Sequence, residues 1–270
     1  MWLKEILKEE RLDLQIVKNP FVFIGIMALI ASLVLSVTSE VFKERVKANK
    51  KLDKMKNVLV CRYLESISDF EDDLLDSDWI INEFNAIIET KLFDLDESKI
   101  LDDSQFDFAD LIWKENKKDG SLYFYFIEDL AKKYLPVFYV KDGQDDLGYI
   151  ISISGKGLWS TLKGFLYIEN DFETVKGISI YDHKETPGLG GEIDKDYVKK
   201  RYVDTKINLN LNSDNDVVSI YMKKTPNQDN PNEISYMSGA TITSDGLNTF
   251  IKRDLERYKP VFELIKKRQY

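Results

Sequence analysis

The chain has a single cysteine, Cys61, and a single histidine, His183, in 270 residues. A lone thiol forms no internal disulfide and cannot build a multi-cysteine metal or iron–sulfur centre. A lone histidine excludes a histidine-rich metal site, and a Ser–His–Asp triad would have to use His183 itself. Basic character is also missing. Lys and Arg number 38 against 47 Asp and Glu, a net charge of −9, whereas nucleic-acid phosphates demand a basic footprint. Internal repeats and low-complexity linkers are absent. The 43% hydrophobic and 12% aromatic content excludes disorder and suffices for a sizeable core.

One long hydrophobic run is present. "PFVFIGIMALIASLVLSV", residues 20–37, carries no charge over 18 residues, and a helix spans a bilayer with about 17 to 25 apolar residues. The run follows a charged lead of 19 residues and no A-x-A site comes after it, which argues against a cleaved signal peptide. Lys4, Lys8, Arg11 and Lys18 precede the span, and Lys43, Arg45, Lys47, Lys50, Lys51, Lys54 and Lys56 follow it. Positive charge alone would therefore keep the larger, C-terminal part in the cytoplasm.

Residues 38–64 have the charge content and apolar spacing of a helix continuing past the span. Residues 65–110 hold sixteen Asp and Glu against two Lys. With Trp79, Ile80, Ile81 and Phe84 at helical intervals, they read as short helices with a solvated face. From residue 121 the texture becomes β-branched and aromatic, in "LYFYFIEDL", "LPVFYVKD", "LGYIISIS" and "VKGISIYD", which predicts strands. "DKDYVKKRYVDTK" reads as helix, "DVVSIYMKK" as strand, and the final 25 residues as helix. No regular βαβ beat appears, so the class is α+β with a mostly antiparallel sheet flanked by helices. The expected organisation is a lead, 1–19, a membrane helix, 20–38, a helical acidic region, 39–120, and a globular domain, 121–270.

Three stretches carry possible chemistry. "GKGLWSTLKG" (155–164) has glycines that permit close backbone approach, but not the spacing of a P-loop. Taken alone, its Trp159 reads as a core side chain. "DHKETPGLGGEI" (182–193) makes an exposed turn with a carboxylate, a hydroxyl and an apolar edge at Glu185, Thr186 and Leu189, a set suited to a planar heterocycle. "YMSGATITSDGL" (236–247) places small residues and hydroxyls just before a helix, where unpaired N–H groups and the helix dipole favour an anion. Thr243, Ser244 and Asp245 could equally be ordinary caps.

In combination, "SGAT" at 238–241, "HKETPGLGGE", "GKGLWST" and one N-terminal span resemble the C subunit of the sodium-translocating NADH:quinone oxidoreductase. In that family FMN is joined through its phosphate to the threonine of the motif. The likeness runs from the span through "NKKLDKMKNVL" and over most of 135–255, and thins out in 65–120 and in the lead. Ser235 stands where the family usually has an acidic residue, three positions before the motif's serine. The resemblance implies a covalent FMN phosphoester on Thr241, with Ser238, Gly239, Ala240 and Thr243 around it. Glu185, Thr186, Leu189 and Gly190 would form the ring loop, with Trp159 and Ser160 on the other side. It implies an electron relay from NADH towards ubiquinone with coupled sodium export, and neither a catalytic acid–base residue nor a metal. The implied partners are the other members of a six-subunit membrane complex, the flavin-attaching transferase and membrane lipid. The implied location is the bacterial inner membrane, single-pass, with the lead cytoplasmic and the domain periplasmic, against the charge rule. Two other readings are the G subunit of the Rnf ferredoxin:NAD complex, which shares threonine-linked FMN, and a membrane-tethered binding protein without cofactor.

Overall fold

The uncharged run and the residues after it form one helix, α1 (Pro20–Arg62), in the computed structural model. Asn19 starts it, its side-chain oxygen accepting from the Phe21 amide at 3.0 Å, and Pro20 fits the first helical position because an N–H there is unpaired anyway. The structure describes residues 19–70, 73–101, 111–126, 130–211, 213 and 215–269. The lead expected over 1–19 lies outside these up to residue 18, as does the acidic stretch 102–110. The chain divides into two compact units, 1–50 and 51–270. In the first, the apolar part of α1 is long enough to cross a membrane and is not buried in protein.

The second unit opens with the last turns of α1, whose Met55, Val58, Leu59, Val60 and Cys61 are buried. α2 (Ser77–Ile87) follows, capped by Asp76, which accepts from the Asp78 amide at 2.9 Å. The helical expectation for 39–120 ends here. Beyond it come β1 (Ile88–Asp94), β2 (Lys99–Leu101), β3 (Leu111–Glu115) and β4 (Leu122–Phe126). β1 pairs along its whole length with β5 (Tyr134–Asp142), so residues well before 121 belong to the sheet. β4 falls within the predicted "LYFYFIEDL", but acidic surroundings had masked β1 to β3: β2 and β3 are short, and in β1 apolar residues cluster towards the end rather than alternating.

The sheet continues through β6 (Asp145–Lys156), β7 (Thr161–Glu169) and β8 (Val175–Asp182). Its order is β2-β1-β5-β6-β7-β8, with the β3–β4 hairpin attached to β5, and every pairing is antiparallel. Side chains alternate between two cores, as the pleat requires. On one face Phe138, Val140, Ile150, Phe165 and Tyr167 meet α1 and α2. On the other, Tyr139, Tyr149, Ile151, Leu166 and Ile178 meet Phe250, Leu255, Tyr258 and Phe262 of the C-terminal helix. The helix expected over 194–206 is reduced to α3 (Asp196–Lys199) and a 3-10 turn, and the strand expected over 216–224 to β9 (Tyr221–Lys223). β9 pairs in parallel with β10 (Glu233–Ser235). The last helix, α4 (Thr241–Gln269), starts at Thr241 and not after Leu247, so the "TITSDGL" stretch is its first two turns.

Candidate functional site

The three stretches singled out in the sequence meet at one end of the sheet. The β6–β7 turn spans Gly157–Ser160, closed by the Gly157 amide donating to the Ser160 carbonyl at 2.8 Å. The other three amides of this turn point away from it, at Glu185. Glu185 is only 5% exposed. Its Oε1 accepts from the amides of Trp159 at 2.9 Å and Ser160 at 3.2 Å. Its Oε2 accepts from the Leu158 amide at 3.2 Å and from the Thr243 hydroxyl at 2.7 Å.

A carboxylate offers about four lone-pair positions, and four protein donors occupy those of Glu185. Burial by itself would push its carboxyl up. The bonds from the Thr243 hydroxyl and the three amides outweigh that and hold it below the ordinary carboxylate value. In this structure Glu185 is a buried clasp binding the turn, its own loop and α4. Two glycines make the clasp possible. A Cβ at Gly157 would lie 2.7 Å from Glu185 Oε1, and one at Gly190 would lie 2.6 Å from Thr243 Oγ1.

The loop after β8 is less exposed than its composition predicts. Gly190 and Gly191 are buried with Glu185, while Thr186, Pro187, Gly188 and Leu189 face outward. The Thr186 carbonyl accepts from the amides of Leu189 at 3.1 Å and Gly191 at 3.0 Å, and Gly188 turns the chain at φ +79°. Ser160 braces this loop by accepting from the Lys184 amide at 2.7 Å. His183 accepts from the Glu185 amide through Nδ1 at 3.3 Å and has Asp194 3.8 Å from Nε2. Its ring faces an amide and a carboxylate rather than a serine hydroxyl, which removes the triad.

The "SGAT" run is a turn feeding a helix. The Ala240 amide donates to the Met237 carbonyl at 3.2 Å, Gly239 sits at φ +70°, and Leu189 Cδ2 would be 2.7 Å from any Cβ added there. Arg201 fixes the approach, donating to the carbonyls of Ser235 and Tyr236 at 3.1 Å. The Ser244 amide donates to the Ala240 carbonyl at 2.9 Å, so Ala240 holds the capping position without a side-chain acceptor. The residues that looked like caps lie inside the first two turns. Thr243 is bound to Glu185, Ser244 is buried and accepts from the Met237 amide at 3.4 Å, and Asp245 accepts from the Tyr236 hydroxyl. Thr241 and Ser238 are exposed.

Exposed apolar side chains occur in all three segments. Trp159 is 70% exposed, Ile242 58% and Leu189 45%, with Leu158 also exposed. Trp159 is therefore not the core residue its type suggested. Leu158 and Ile242 had not been singled out; their position beside Trp159 and Thr241 was the available signal. Large apolar side chains left in water beside small polar ones are the usual make-up of a ligand surface. An exposed hydroxyl, an uncapped helix start and a flat apolar flank together suit a planar ring carrying a phosphate.

The family model described as FMN-binding domain matches residues 157–256, which contain all three segments except Gly155 and Lys156. Among curated proteins, the chain is similar to the C subunit of the Na(+)-translocating NADH-quinone reductase of Haemophilus ducreyi, 29% identical over 87% of this chain and 88% of that one. The C subunit of the same enzyme from Neisseria meningitidis serogroup B is 32% identical over 64% of this chain and 68% of that one. The fold matches the crystal structure of the C subunit from Parabacteroides distasonis with a TM-score of 0.58, at 22% identity over 82% of this chain and 96% of that one. NqrC of Shewanella oneidensis gives 0.55 at 24% identity, over 70% and 88%.

Proposed function

Since the chain belongs to the family of the Na(+)-translocating NADH-quinone reductase C subunits, we propose that Thr241 carries its FMN through a phosphoester. The chain is an electron-transfer subunit of that multi-subunit oxidoreductase, and residues 157–256 form its FMN-binding domain. One observation carries the assignment to Thr241. Of three clustered hydroxyls, its own is exposed, whereas Thr243 and Ser244 are buried and engaged. Ala240 leaves the first-turn amides without a side-chain cap, and the dipole of a 29-residue helix favours phosphate there.

FMN supplies reversible uptake and release of electrons, chemistry that no amino-acid side chain here offers. The chain's residues bind and orient. Thr241 would hold the phosphoryl group, Gly239 and Ala240 would give it a tight approach, and Trp159, Leu189 and Ile242 would offer apolar flanks that a bound ring shields from water. Thr186 and the exposed turn at Gly188 supply polar edges. Glu185, Gly190, Thr243 and Ser160 act behind this surface by fixing its three segments. No proton has to be moved by a side chain.

The apolar part of α1 anchors the chain in a membrane. We place the anchor in the bacterial inner membrane, with the lead cytoplasmic and the domain periplasmic, near other subunits whose packing outweighs the loop-charge bias. A flavin-attaching transferase would form the ester, and sodium export would be coupled to electron flow from NADH towards ubiquinone. The test of the Thr241 assignment is intact and peptide mass spectrometry of the chain co-expressed with that transferase. Wild type should gain one FMN on the peptide holding Thr241, and Thr241→Val none. Flavin found on Thr243 or Ser244, or none in wild type, would overturn it.

A further inference from the structure

Trp159 is exposed, so its ring is held in place by its backbone and not by packing. The turn that carries it is gripped at the tip by Glu185. Its root is the last pair of the β6–β7 ladder, Lys156 opposite Thr161, and both side chains of this pair converge on Glu115. Lys156 Nζ donates to Glu115 Oε1 at 2.6 Å, Thr161 Oγ1 donates to the same oxygen at 2.6 Å, and Lys156 Nζ lies 2.8 Å from Thr161 Oγ1. Glu115 is 41 and 46 residues away in sequence.

The hairpin that delivers Glu115 is itself pinned to the same end of the sheet. The Leu122 amide donates to Ser154 Oγ at 3.0 Å, and Arg253 Nη1 donates to the Asp119 carbonyl at 3.0 Å. Gly120, at φ +75°, lies so close that an added Cβ would be 3.0 Å from Gly155 backbone atoms. Burial alone would push the Glu115 carboxyl up, and its bonds to Lys156 and Thr161 outweigh this and hold it low. An isolated surface ion pair contributes little. Here the carboxylate also takes a hydroxyl, and it ties two strands at the root of one functional turn.

We propose that Glu115 is a positioning residue for the flavin surface, acting through Lys156 and Thr161 on the turn that presents Trp159. The proposal rests on the flavin reading above, and its test separates the two. The first measurement uses the flavin-free full chain in detergent: amide hydrogen exchange at residues 158–160. Glu115→Ala should speed exchange there roughly ten-fold, because the turn opens locally more often. Thr161→Val should act in the same direction and Thr161→Ser should restore wild-type exchange. Glu97→Gln, which weakens an exposed ion pair with Lys132 in the β1–β2 turn, should leave these amides unchanged. The second measurement is the visible circular dichroism of the flavin-loaded chain, which reports ring surroundings and should change with Glu115→Ala but not with Glu97→Gln. Unchanged exchange at 158–160 in both Glu115→Ala and Thr161→Val would overturn the proposal. A wild-type chain that takes no flavin would overturn the Thr241 reading instead, and the exchange result would still decide Glu115. Should Glu115→Ala fail to fold, the Thr161 pair carries the same test.

Discussion

Thr241 and Thr243 are two residues apart and chemically identical, yet the fold gives them opposite surroundings. Thr241 is exposed at the helix start, and Thr243 donates to a buried carboxylate. Thr243→Val should cost about 1–3 kcal/mol of unfolding free energy, the penalty for stripping a buried acceptor, while flavin remains on Thr241. Thr241→Val should do the reverse, removing the flavin with stability changed by less than about 0.5 kcal/mol. Denaturant melts and intact mass read both. Glu185 adds a pH dependence. Its carboxyl is held below the unfolded value of about 4.3, so its stabilisation is complete above that pH and is lost as pH falls through the folded value. Glu185→Gln should therefore lower stability at neutral pH and flatten the loss seen in wild type below about pH 4. An acid limb identical in the two proteins would remove Glu185 from the clasp.

At the scale of elements, α4 and the end of β6 are pressed together at a glycine. A Cβ at Gly246 would lie 2.3 Å from the Lys156 carbonyl oxygen. Gly246→Ala would gain about 1 kcal/mol in helix propensity, yet it forces α4 away from the strand that leads into the Trp159 turn. The overpacking cost of about 1–3 kcal/mol should win, giving a net loss of stability and a changed flavin spectrum. A more stable variant would show that the helix start tolerates a shift. Further along, the same helix is welded to the sheet by Asp254, which accepts from the Ser154 amide at 2.8 Å and from Arg257 at 2.9 Å. The start of α4 is thus held from near the middle of the helix, well beyond the turn that holds Thr241.

For the whole molecule, the side of the membrane is the property to measure. Alkaline phosphatase fused after Gln269 should be active and a cytoplasm-only fluorescent reporter dark, if the domain is exported. The opposite pattern would mean that the lysines and arginine from Lys43 to Lys56 control orientation after all. The chain should in either case stay with membranes through an alkaline wash, because the 18 uncharged residues before Thr38 need lipid.

Features set by local composition or spacing were legible in the sequence. The span reads directly because the bilayer demands an uninterrupted apolar run, and β4, β5, β6 and β8 read from dense β-branched and aromatic residues. "SGAT" marked a turn and helix start because a short motif carries its own local geometry, and Thr241 is exposed at that start. What depended on partners distant in sequence was not legible. β1 to β3 lie in or beside acidic sequence that hides them, and become strands because β5 pairs with β1 and β4 pairs with β3. Trp159 and Glu185 exchanged expected places, the tryptophan outside and the carboxylate buried. Only tertiary structure could decide that, since burying a charge is tolerable solely where several donors converge on it, and those of Glu185 come from residues 158–160 and 243.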